Sequence, residues 1–114
     1  MSPITTHILD TSKGCPITNV LVRLEQQNQD GSWRELSSGM TDTDGRIMNL
    51  LPEEKVLDSG VYQMIFVTAP YFEKQGIPSF YPEIEIRFSL LEPEQHYHVP
   101  LLLSPFGYST YRGS

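Results

Sequence analysis

The stretch EIEIRFSL, residues 83–90, alternates without a break: Ile84, Ile86, Phe88 and Leu90 fall on one face, against Glu83, Glu85 and Arg87 on the other. Successive side chains of an extended chain point to opposite sides, so this pattern buries one face of a strand and wets the other. The same period returns in NVLVRLE, where Val20, Val22 and Leu24 share a face opposite Leu21, Arg23 and Glu25. GVYQMIFVTA is apolar on both faces, which suits a strand lying centrally between layers or at a subunit interface. No long 3.6-residue period competes with these runs, so the chain reads as a β protein.

Turn chemistry punctuates the strands. Asp30-Gly31, Asp44-Gly45, Ser59-Gly60 and the run Ser104-Pro105-Phe106-Gly107 supply residues that tolerate positive φ or preset it, at spacings that fit short antiparallel strands. The pattern predicts strands over 4–10, 19–26, 33–41, 46–49, 61–68, 83–90, 96–104 and 107–112. APYFEKQG predicts one short helix, with Pro70 in its first turn and Gly76 at its stop. PEEKVLDSG, residues 52–60, could add a single helical turn. Eight short strands and one helix in this length make an all-β, two-sheet β-sandwich, with residues 1–114 in a single domain.

Composition narrows the function classes. At 114 residues with a formal net charge of -6, the chain has no Lys/Arg cluster with which to meet nucleic acid or an anionic membrane. Cys15 is the only cysteine, so one chain forms no internal disulfide and no Cys-based zinc site, and a reducing compartment fits. MSPITTHILD reaches strand-like sequence at once, without a basic or apolar leader, and RGS does not resemble a peroxisomal signal, so a cytoplasmic location is expected.

Three groups of residues could carry chemistry. His96 and His98 stand two apart on one strand, so they share a face, and His7 could join them from a neighbouring strand. Such a trio could bind a metal, but no acidic residue accompanies the pair at a ligand spacing, and a histidine on a strand is more often an ordinary polar-face residue. Arg46 follows the tight turn DTDG, which lacks the glutamate and flanking helices of a calcium loop; on its own it reads as a solvated turn arginine. The chain ends SPFGYSTYRGS, alternating as a last strand whose exposed edge would invite pairing with a second subunit. No nucleophile elbow, phosphate loop, dinucleotide fingerprint or Cys-His pattern is present. Physics of the sequence alone stops at an oligomeric β domain with a His/Arg site.

The motifs go further together. ITTHILDTSKGCP, TDTDGRI and HYHVPLLLSPFGYSTYRGS, with FVTAPYFEKQGIPSFYPEIEIRF between them, closely resemble the 5-hydroxyisourate hydrolases of the transthyretin-related family, over essentially the whole chain. That resemblance implies a transthyretin-like sandwich that assembles as a homotetramer, a dimer of dimers, with the last two strands in the assembly and active sites in the channel between dimers. It implies hydrolysis of 5-hydroxyisourate to 2-oxo-4-hydroxy-4-carboxy-5-ureidoimidazoline in urate degradation, without metal or other cofactor. The alternative within the family is a carrier of a small hydrophobic ligand in the same channel. At the positions of His7, Arg46 and His98 the carrier has a lysine, a glutamate and a threonine, so the resemblance favours the enzyme.

Such chemistry needs a base for water, a donor for the developing oxyanion and a flat polar pocket. The resemblance assigns His7 and His98 to water activation and proton transfer, in either order. Arg46 becomes the electrophilic partner, whose forked donors can meet ring oxygens. Tyr111 is expected to bind or orient the ring, and the Ser114 carboxylate to orient a histidine or pair with a cation. His96 is left beside the site or on the surface, Arg112 in structural contacts, and Cys15 without a role.

Overall fold

The computed structural model describes residues 2–113. The strands are β1 (Ile4–Asp10), β2 (Cys15–Pro16), β3 (Leu21–Gln27), β4 (Trp33–Met40), β5 (Gly60–Val67), β6 (Ile84–Leu90), β7 (Tyr97–Ser104) and β8 (Gly107–Thr110), with one helix, α1 (Ala69–Lys74), between β5 and β6. They form two four-stranded sheets, ordered β2-β1-β7-β8 and β4-β3-β5-β6, packed as a sandwich. Pairing is antiparallel except between β1 and β7, the first and second-last strands, which run parallel.

The alternating runs bury the faces their sequence specifies. Val20, Val22 and Leu24 are buried with Ile84, Ile86 and Leu90 in one core, joined there by Ile4, Ile8 and Leu101 from the other sheet. GVYQMIFV becomes β5, flanked on both sides by β3 and β6, and its second face is closed by Gln63, which donates to Glu25 and accepts from Arg87. The predicted helix forms where Pro70 and Gly76 bracket it, with Phe72 buried beneath it and Gly76 in the left-handed region. Its neighbour Tyr71 donates to Asp10 at 2.7 Å, tying the helix to β1.

Four local expectations are corrected. Residues 46–49 are not a strand: the buried positions are Ile47, Leu50 and Leu51, a spacing that anchors a turn rather than a pleat, and only Arg46 makes a bridge. PEEKVLDSG is not helical; a turn closes from Lys55 N–H to Pro52 O, and Leu57 then pins an irregular segment into the core. β2 was not anticipated, because two residues carry no periodicity; it forms because Gly14, at φ +69°, turns the chain back so that Cys15 and Pro16 pair with Asp10 and Leu9. The last strand ends at Thr110 rather than residue 112, and pairing resumes once, at Gly113.

Candidate active site

The site is built on the outer face of the β1/β7 pair. Ile4, Thr6 and Ile8 point inward, which leaves Thr5 and His7 on the outside. The parallel register sets Thr5 opposite His98 and His7 opposite Pro100. Tyr97 and Val99 take the core side of β7, so His96 and His98 share the outer face, as their spacing predicted.

Arg46 reaches this face because a turn completes an unfinished sheet edge. β2 covers β1 only opposite Leu9 and Asp10; beyond them, Ile8 N–H donates to Gly45 O at 2.9 Å, and Arg46 pairs with His7 in an antiparallel bridge. Residues directly opposite in such a pair project to the same side. The turn itself is held by Asp42, whose carboxylate accepts the N–H groups of Asp44 and Arg46 and whose backbone closes on Arg46 O and Gly45 N–H. Asp42, the first aspartate of TDTDGR, thus shapes the turn that presents the arginine.

Gly45 is the hinge of this arrangement. It sits at φ +74°, and a Cβ there would lie 2.5 Å from Ile8 O and 3.0 Å from Pro16 Cβ. Gly45→Ala should therefore destabilise the fold by about 2 kcal/mol or more, through both the positive φ and the backbone clash. Urea unfolding checks this, and a wild-type midpoint would show that the turn tolerates a side chain.

The tail closes the opposite wall. Gly113 N–H donates to His98 O at 2.8 Å, and the glycine lies flat against the imidazole: a Cβ at 113 would stand 2.5 Å from His98 Cδ2. Tyr111 lines the same pocket while 59 % exposed. Arg112 turns away, donating to Gln95 and lying 4.4 Å from the centroid of the Tyr97 ring, the structural contacts expected of it. Ser114 lies outside the described residues.

The result is one pocket of about 420 Å³ that holds His7, Arg46, His98 and Tyr111 together. Thr5, His96 and Gly113 also line it and were not assigned to the site from the sequence. The signals existed: Thr5 is two residues from His7 on the same strand face, His96 two from His98. Gly113 gave none, since nothing in a sequence says that an imidazole will lie against a glycine.

Burial is the main reason the His98 imidazolium is disfavoured, and the positive ends of His96, His7 and Arg46 add to it; its pKa falls below the ordinary 6.5. His98 is therefore neutral at physiological pH, the form that accepts a proton. Asp10, at the far end of β1, is partly desolvated, but donors from Ser12, Tyr71 and Lys13 outweigh that and hold its carboxyl below the usual range. That carboxylate serves the β1–α1 junction and takes no part in the pocket.

Comparison with known proteins agrees with the fold and shows the family. Residues 4–113 match the model of the HIUase/Transthyretin family. The chain is 50% identical over 111 residues to the 5-hydroxyisourate hydrolase of Salmonella typhimurium, covering 97% of this chain and 80% of that protein. Among solved structures, transthyretin from Sparus aurata superposes with a TM-score of 0.90 at 37% identity, over 99% of this chain and 97% of that one. The Klebsiella pneumoniae 5-hydroxyisourate hydrolase superposes with a TM-score of 0.83 at 33% identity, over 97% and 98% of the two chains. With a family match across nearly its whole length and half its residues shared with a hydrolase, the chain belongs to the HIUase/transthyretin family.

Proposed function

We propose that this protein is a hydrolase that opens the ring of 5-hydroxyisourate to give 2-oxo-4-hydroxy-4-carboxy-5-ureidoimidazoline, a step of urate degradation. The fold itself is shared by carriers and enzymes, so the choice rests on the site. The observation that carries it is the convergence of three imidazoles and a guanidinium in one open pocket, with the His98 imidazole held neutral. Relatives across bacteria and animals bear the hydrolase name, including the mouse protein at 42% identity over 99% of this chain. The carrier reading asks for an apolar cavity, and a floor of histidines and threonine is a poor one.

In the reaction, neutral His98 takes a proton from water as the oxygen attacks a ring carbonyl. Arg46, exposed at the rim and paired through its backbone with His7, donates to the carbonyl oxygen as it becomes an oxyanion. His7 holds the ring on the same side, and Tyr111 covers it. The proton then passes to the departing ring nitrogen, and every group returns to its starting state. General-base catalysis of this kind contributes about 10²–10⁴-fold, and no step requires a metal or cofactor.

The reading includes assembly as a homotetramer, a dimer of dimers, each chain one domain of residues 1–114. It is supported by two strands, β6 and β8, that end their sheets with open edges, and by Phe106 and Tyr111, which are exposed next to that region. Among the described residues no helix is long and apolar enough to cross a membrane.

Generating 5-hydroxyisourate in situ with urate oxidase and following its ultraviolet absorbance tests the function. Decay should quicken in proportion to added protein; decay at the uncatalysed rate contradicts the hydrolase reading. The pH dependence is a further expected result. Because the lowered pKa keeps His98 neutral, kcat/KM should hold down to pH 6.5 and fall only as the pH drops through that lower value. An acid limb centred above 6.5 would remove His98 from the role of base.

A further inference from the structure

One hydroxyl stands between two histidines of the pocket. Thr5 Oγ1 lies 2.8 Å from His98 Nδ1 and 3.0 Å from His96 Nε2. Thr5 is nearly buried, and the β1–β7 register holds it opposite His98. A hydroxyl has one proton to give and lone pairs to receive with, so Thr5 donates to one ring and accepts from the other. The two histidines are therefore coupled, and only two arrangements of protons satisfy all three groups.

In the first, His98 carries its proton on Nδ1 and donates to Thr5, Thr5 donates to His96 Nε2, and His96 carries its proton on Nδ1. His98 Nε2 is then bare. In the second, His96 Nε2–H donates to Thr5, Thr5 donates to His98 Nδ1, and the His98 proton sits on Nε2. Among the described residues Nε2 of His98 has no hydrogen-bond partner, so it is the nitrogen left for substrate or water. Only the first arrangement gives that nitrogen a lone pair.

The surrounding charges favour the first. Arg46 shares the pocket with His98, and its positive charge opposes a proton on the nitrogen not bound to Thr5. His96 also borders a second concavity, where Glu54 and Glu94 outnumber Lys55. That negative side favours a proton on the edge of the His96 ring turned away from Thr5. Protons are thus drawn from the Arg46 end of the chain of three groups toward the acidic end.

We propose that Thr5 and His96 are positioning residues which hold His98 in the Nδ1–H tautomer and so leave its Nε2 free as the base for water; the proposal rests on the hydrolase reading above. The choice of tautomer decides whether the imidazole is a base at all, as a ring with the wrong nitrogen protonated offers no lone pair to the water.

Two measurements on the full chain test it. Nitrogen-15 correlation spectra of the histidine rings above neutral pH, with His98 identified by its loss in His98→Gln, should show the His98 proton on Nδ1. A proton on Nε2 in the wild-type protein overturns the proposal, whatever any variant does. In the coupled assay, Thr5→Val, which keeps the branched shape of the strand residue, should lower kcat about 10–100-fold with KM within about twofold, while Thr5→Ser recovers most of the rate. Wild-type kcat in Thr5→Val also overturns it. If the wild-type chain itself fails to speed decay of 5-hydroxyisourate, the hydrolase reading falls instead, and the ring spectra still decide the tautomer.

Discussion

Arg46→Gln should lower kcat/KM by roughly 10²–10³-fold while the protein stays folded and assembled, the scale seen when one donor to a developing oxyanion is removed. The side chain of Arg46 is exposed, and its place in the turn depends on backbone groups that glutamine retains: the bridge to His7 and the N–H given to Asp42. The loss therefore reads as missing charge in the transition state, without a packing cost. The acid limb of the pH profile should also rise, though modestly, because burial outranks Arg46 among the causes that depress the His98 pKa. Steady-state kinetics with a thermal melt check both parts. Wild-type turnover from Arg46→Gln would remove the arginine from the chemistry, whereas lost turnover with a collapsed melt would make it structural.

Gly113→Ala should cost roughly 10²-fold in kcat with little change in unfolding midpoint. A methyl group at 113 would meet the His98 ring at 2.5 Å from Cδ2 and 3.2 Å from Cγ, where the bridge from Gly113 N–H to His98 O now holds the glycine against the ring. The tail can peel away or the ring can move; either displaces a wall of the pocket by about an ångström, which is enough to cost two orders of magnitude in a positioned reaction. The core is untouched, since Gly113 lies outside the sheets. Kinetics beside a urea melt separate these effects. Full activity from Gly113→Ala would mean that the imidazole does not need its backing, and that the tail serves assembly alone.

How far the sequence reveals this protein depends on how many residues share in each signal. The faces of β3 and β6 are legible because three or four side chains repeat one choice, and burial then agrees with it at every position from Val20 to Leu24. Residues 46–49 mislead because Arg46-Ile47 looks like the start of a run, whereas the chain buries Ile47, Leu50 and Leu51 and leaves Met48 half exposed. β2 has only two residues and is made by the turn at Gly14, so it could be seen only from its partner strand.

The site divides in the same way. Residue type and family resemblance point to His7, Arg46, His98 and Tyr111, and the structure brings these four to one pocket. Thr5 and His96 enter through hydrogen bonds across 91 or more residues of sequence, which no local pattern records. Gly113 enters through the absence of a side chain. What positions an active group is here carried by ordinary residues whose meaning exists only once β1, β7 and the tail are side by side.

The measurement that bears most directly on the central claim compares the wild-type chain with the triple variant His7→Gln, Arg46→Gln, His98→Gln in the urate oxidase-coupled decay of 5-hydroxyisourate. All three side chains line one open pocket and none belongs to the core, so the variant should fold and assemble. The wild type should accelerate decay, unchanged by a chelator, and the triple variant should leave it at the uncatalysed rate. Acceleration by a folded triple variant would contradict the central claim and place the hydrolysis outside this pocket.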